Sequence, residues 1–189
     1  KYGCDLYPRS DVKDLLRFIR KENLPLRVRL SSIEPTEIDA ALIETIASQP
    51  WLCPHFHIPL QSGDDEILKK MNRSYTARDF AGLVARIHEE MPFAAIGVDT
   101  MAGFPGEDHA AYLNTAALIR DLPISYLHVF PYSAREGTVA AGFSDRVPEQ
   151  VIKERTAELR ELGHQKRRAF YESCLGKTFA VLVEGWQSE

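Results

Sequence analysis

"HFHIPLQSGDDEILKKMNRSYT", His55 to Thr76, is the stretch that decides the fold. Its first seven residues alternate: Phe56, Ile58 and Leu60 fall on one side, and His55, His57, Pro59 and Gln61 on the other, which is the period of a strand with one oily and one polar face. The run breaks off at Gln61-Ser62-Gly63-Asp64 and enters a short helix over Asp65 to Met71. Strand, small polar corner, helix is the unit that builds parallel sheets with right-handed crossovers.

Outward from this stretch the unit repeats. Upstream, a helix from about Ser10 to Lys21 presents Val12, Leu15, Leu16 and Ile19 at helical spacing, and "PLRVRLSS" reads as a strand. "TEIDAALIETIAS" then reads as a helix opened by Thr36, with Asp39 at the capping-box offset. Downstream, a helix opens at Thr76 with Asp79 at the same offset and buries Phe80, Leu83, Val84, Ile87 and Met91. "AAIGVDTMAGF" is a third strand, "EDHAAYLNTAALIRDL" its helix, and "SYLHVFPYS" a fourth strand. Four such units predict an α/β fold, either a partial (β/α) barrel or a doubly wound sheet. After "REGT" one long charged helix runs from Pro148 to Gly176 and reads as a connector, and "KTFAVLVEG" alternates like a strand of a further β unit. The expected organisation is thus barrel over 1–145, connector helix over 146–176, and the start of another domain over 177–189.

Composition narrows the function classes. The chain has 189 residues, 44% of them hydrophobic, a formal net charge of −4 and a pI near 5.9. That balance argues against an electrostatic clamp on nucleic acid, although "HQKRR", His164 to Arg168, is a local basic run. No apolar run reaches membrane-spanning length and no signal-peptide pattern opens the chain, so a cytoplasmic protein without membrane contacts is expected. Cys4, Cys53 and Cys174 are far apart, fitting neither a disulfide framework nor a metal-binding CxxC. The sequence begins without Met, which reads as a processed product or a piece of something longer.

The polar strand faces carry the functional expectation. Arg27, Arg29 and Ser31 share a face; so do His55, His57, Pro59 and Gln61; so do Gly97, Asp99 and Met101; so do Tyr126, His128, Phe130 and Tyr132. A closed barrel fills its interior with aliphatic layers, so these groups imply a solvated or ligand-filled concavity, or else a satisfied polar network. His55 and His57 could ligate a metal, but no third ligand sits at a matching spacing, and a hydrogen-bonded pair reads better. The corners "SSIEP", "QSGDD", "AGFPGE" and "YSAREGT" follow the strand ends, where parallel α/β folds bind ligands. Taken singly each has a bland reading: Asp64 caps a helix, Pro105-Gly106 makes a turn, Glu107 favours a first helical turn. The main pocket is expected between Ser32, Gln61, Gly103 and Ser133.

With "RLSSIEP", "HFHIPLQSGDDEILKKMNRSYT", "VDTMAGFPGE" and "LHVFPYSAREGT" in this order, the chain resembles the later part of the TIM-like barrel of the radical S-adenosylmethionine (SAM) methylthiotransferases. "GKTFAVLVEG" resembles entry into their TRAM domain. The "LHVFPYS" and "REGT" forms most resemble the branch that acts on N6-threonylcarbamoyladenosine at tRNA position 37; the isopentenyladenosine and ribosomal-protein branches are the near alternatives. The resemblance implies SAM and two [4Fe-4S] clusters in the whole protein, with tRNA and an electron donor as partners. It implies that Ser32, Glu34, Gln61, Ser62, Arg73, Asp99 and Gly103 line the SAM and substrate side. Phe104 and the segment of Phe130, Tyr132 and Ser133 would lie against the adenine. Arg73 would face the SAM carboxylate, or alternatively cap the short helix it follows. The cluster motif CxxxCxxC is absent from these residues, so no cluster and no activity are expected of them alone. A radical SAM enzyme of the coproporphyrinogen oxidase kind and a non-catalytic scaffold domain are the other readings.

Overall fold

The computed structural model describes Gly3, Asp5, Tyr7 and residues 10–181. Three parallel strands, β1 (His55–Gln61), β2 (Ala95–Ala102) and β3 (Tyr126–Pro131), form one sheet in the order β1-β2-β3. Helices α1 (Val12–Lys21), α2 (Ala40–Ser48), α3 (Asp65–Lys70), α4 (Ala77–Glu90), α5 (His109–Asp121) and α6 (Glu149–Ser173) surround it.

The oily strand face is covered as its alternation requires. Phe56, Ile58, Leu60, Ile96 and Val98 are buried in one core with Leu42, Ile43 and Ile46 of α2 and Phe80, Val84 and Ile87 of α4. Each fully buried side chain of this kind contributes about 1.5–3 kcal/mol, so this face fixes the register.

Two expected elements differ. Residues 28–33 form no ladder: Val28 makes an isolated parallel bridge to Leu52, donating its amide to the Trp51 carbonyl at 2.8 Å, and the Ile33 amide donates to the His57 carbonyl at 3.0 Å. Among the described residues the sheet ends at β1, so the segment has a neighbour on one side only. Helix α2 opens three residues late. Pro35–Glu37 form a 3-10 turn, and Asp39, not Thr36, is the cap, accepting from the Leu42 amide at 2.8 Å. Ile38 follows the turn in an extended conformation and is buried, and this break separates the turn from the helix. The box at Thr76 and Asp79 forms as expected, with Thr76 Oγ1 accepting from the Asp79 amide at 3.1 Å.

Helix α6 does more than connect. Leu159 is buried against the sheet, and a Cβ added to Gly163 would lie 3.2 Å from Leu127 Cβ, so α6 lies close along β3. No described helix is long and apolar enough to cross a membrane. Lys177 to Val181 are assigned no strand, and the rest of the expected β unit, like Cys4, lies outside the described residues.

Candidate functional site

The corner after β1 is built by strain and anchoring. A register shift falls between Pro59 and Gln61, and Gln61 sits at φ 64, in the left-handed region that costs a non-glycine residue of order 1 kcal/mol. Tyr75 holds the distortion: its buried hydroxyl donates to the Pro59 carbonyl at 2.7 Å and the Leu60 carbonyl at 3.2 Å. Burial pushes the phenol up to about 12, so it stays a donor. Ser62 turns inward, fully buried, 3.3 Å from Thr115 Oγ1 on α5. The Gly63 amide donates to the same oxygen at 2.8 Å, and a Cβ on Gly63 would fall 2.6 Å from Thr115 Cα. The corner thus packs on α5 through Ser62 and Gly63, while Gln61 remains half-buried at the end of the inner face.

The corner after β2 is locked the same way. Gly103 and Gly106 have φ of 81 and 85. Buried Glu107 accepts from the Gly103 amide at 3.0 Å and from Arg155 Nη1 of α6 at 2.7 Å, and Arg155 also donates to the Glu107 carbonyl at 2.8 Å. Glu107 is therefore no mere helix-dipole residue; the α5 cap is Asp108. Phe104 is buried under Tyr132, ring to ring at 5.4 Å, and beside Phe143 at 6.2 Å. The Tyr132 hydroxyl is buried without a hydrogen-bond partner among the described residues, as is Arg73 Nε. The Arg73 guanidinium pairs with Glu34 at 3.0 Å rather than with the end of α3. Ser32, Phe130 and Ser133 are exposed.

Farther down the inner face the strands present titratable groups to one another. Gly97 makes room for Tyr126, since a Cβ there would lie 2.0 Å from the tyrosine ring. The ring crosses β2, and the Tyr126 hydroxyl lies 2.8 Å from His55 Nε2 on β1. One register step along, His57 Nε2 donates to Asp99 Oδ1 at 2.8 Å, and His128 Nδ1 lies 3.4 Å from the same oxygen. The ligand atoms of His57, Asp99 and His128 all lie within 4.8 Å of one another. That spacing admits a divalent cation at His57, while both His55 and His57 are hydrogen-bonded; Asp99 and His128 are brought there by strand register, which is invisible as sequence spacing. The shared Oδ1 is also a complete hydrogen-bond hub.

Two cavities open here. One of about 590 Å³ lies between the start of α1 and residues 29–39, bordered by Arg29, Ser32 and Asp39. It reaches only the Ser32 end of the expected four-corner pocket, because the corners at Gln61 and Gly103 are packed against α5 and α6. The other, about 350 Å³, is lined by Arg29, His55, His57, Tyr126, His128 and, from α6, Arg167. Sequence reading missed Tyr75, Thr115 and Arg155, and took Arg167 only as part of the basic run His164 to Arg168; all four act across elements, which local pattern does not show.

Residues 2–119 match the model of the radical SAM superfamily. The chain is 40% identical over 169 residues to the threonylcarbamoyladenosine tRNA methylthiotransferase MtaB of Aquifex aeolicus, covering 89% of this chain and 41% of that protein. It is 41% identical over 184 residues to the tRNA-2-methylthio-N(6)-dimethylallyladenosine synthase of Syntrophobacter fumaroxidans, covering 97% and 40%. The chain therefore spans about two fifths of the length of these relatives. Coproporphyrinogen III oxidase of Escherichia coli superposes with a TM-score of 0.67 at 17% identity, covering 83% of this chain and 38% of that one, which bears on the fold alone. The parallel sheet with its helices is thus part of a TIM-like barrel, and the chain belongs to the radical SAM superfamily.

Proposed function

We propose that this chain is the later part of the barrel of a tRNA methylthiotransferase, and that its substrate is N6-threonylcarbamoyladenosine at tRNA position 37. Identity does not choose between the two substrates, since relatives of both kinds match at 40% and 41%. What supports the choice is the inner face. A dimethylallyl group is a hydrocarbon that gains from an apolar wall, whereas threonylcarbamoyl brings a carboxylate, a hydroxyl and an amide, and the wall here is Arg29, His55, His57, Asp99, Tyr126 and His128.

The upper corners fit SAM. The unpartnered Tyr132 hydroxyl and Arg73 Nε are buried polar atoms of the kind a ligand satisfies, and the Phe104–Tyr132 pair offers an aromatic wall. In this reading Arg73 receives the SAM carboxylate while Glu34 meets its ammonium; Asp99 and Gln61 face the substrate; Gly103 lets the backbone approach the ligand, and buried Ser62 anchors the corner after β1. Bound together with a cluster, SAM supplies the radical chemistry of the superfamily. Among the described residues Cys53 and Cys174 are free, and the three cysteines of the sequence are far apart, so in this reading cluster ligation belongs to parts of the relatives' length that this chain does not span. The whole protein would also engage an electron donor, work in the cytoplasm, and use a TRAM module entered at Lys177.

Nucleoside mass spectrometry of a strain deleted for the complete gene is the test. Loss of 2-methylthio-N6-threonylcarbamoyladenosine alone is expected. Loss of the isopentenyl analogue, or of a methylthio group on a ribosomal protein, overturns the substrate assignment.

A further inference from the structure

The cavity of about 350 Å³ carries an asymmetry of charge. Arg29 comes from the segment beside β1 and Arg167 from α6, and both border it. Among the described residues neither has a carboxylate within ion-pair distance, whereas Arg17, Arg73, Arg155 and Arg168 each do. Both act on one point, since the Tyr126 hydroxyl feels the positive charge of each. Asp99, the acidic group within this wall, already receives His57 and stands beside His128, so its charge is committed. Two guanidiniums left to water beside a tyrosine hydroxyl and imidazoles form a site for a planar anion, which an arginine fork engages through paired N–H donors.

We infer that Arg29 and Arg167 form a carboxylate clamp for the threonyl group of the substrate nucleoside, so that α6 is a specificity element. This rests on the substrate reading above and adds the residues that read it. The clamp joins one residue beside the first strand of the sheet to one on the last helix, so the acid is gripped from both sides. An uncharged substituent leaves both guanidiniums without a partner and gains nothing from them.

The experiment uses the complete protein, its Arg29→Gln and Arg167→Gln variants, and three anticodon stem-loop RNAs. These carry at position 37 threonylcarbamoyladenosine, its analogue with the carboxylate replaced by hydrogen, or dimethylallyladenosine. The wild type is expected to bind the acid about 10- to 100-fold tighter than the decarboxylated analogue, the range of charge-assisted hydrogen bonds. Each variant should lose most of that preference while binding the analogue as the wild type does. Equal weakening toward all three RNAs with a shallower salt dependence would place the arginines on backbone phosphates and overturn the clamp. So would variants that keep the preference. A wild type that binds the dimethylallyl RNA tightest defeats the substrate reading itself, which separates the two failures.

Discussion

Arg155 and Arg167 stand twelve residues apart on the same helix and have opposite lives. Around Arg155, α6 is locked into the barrel: the guanidinium meets buried Glu107, Leu159 fills the core, and a Cβ on Gly103 would strike Ile152 at 2.3 Å. Around Arg167 the helix leaves the core and its charge stands over an open cavity. The first arginine completes a corner and the second has nothing to complete. The corners after β1 and β2 spend most of their polar groups on one another, leaving the Tyr132 hydroxyl and Arg73 Nε over, whereas the guanidiniums without a carboxylate partner lie lower on the inner face.

Removing each arginine gives the sharpest break. Arg155→Met strands the Glu107 carboxylate, already held above its usual range chiefly by burial, and should cost about 3–5 kcal/mol in denaturant unfolding. Arg167→Met should change stability by less than about 0.5 kcal/mol, as exposed positions do. Similar values for the two would erase the distinction between a locked and a free end of α6.

A smaller effect tests the corner after β1. Thr115→Val keeps the shape but removes the oxygen that accepts from the Gly63 amide and neighbours buried Ser62, so about 1–3 kcal/mol should be lost in the same measurement. A loss under about 0.5 kcal/mol would mean that water replaces the hydroxyl and that the corner is less anchored than its geometry indicates.

These residues also show what was legible. Alternation in β1 and β2 and the box at Thr76 and Asp79 are local patterns, and they gave the sheet, its buried face and α4 before any coordinates. Thr36 and Asp39 both suit the α2 cap locally, and Asp39 takes the role because residues 35–37 close into a 3-10 turn with Ile38 extended after it. The site was legible as a face but not as a set of partners. Register places Asp99 opposite His128, and adjacent strands put His57 beside Asp99; Arg155 reaches Glu107 only because α6 folds back along β3. Sequence spacing carries none of these distances.

The smallest expected effect concerns the inner face and acid. His55 is pulled below its ordinary 6.5, chiefly by burial and next by the positive charge of Arg29; the positive form of His57 adds to this, while a backbone contact at Leu30 opposes it. A histidine with a depressed folded pKa binds its proton more readily when unfolded. Its neutral form therefore adds stability that is fully present above pH 6.5 and is lost as pH falls through the folded pKa. The wild type should lose stability faster than a His55→Gln variant as pH drops below 6.5, with parallel curves above it. Arg29→Gln should flatten the wild-type slope in the same window, because it removes the second cause while leaving burial in place. If Arg29→Gln leaves the slope unchanged, the guanidinium does not face His55 across the cavity, and the free charge that separates this region from the locked corners is not where the geometry puts it.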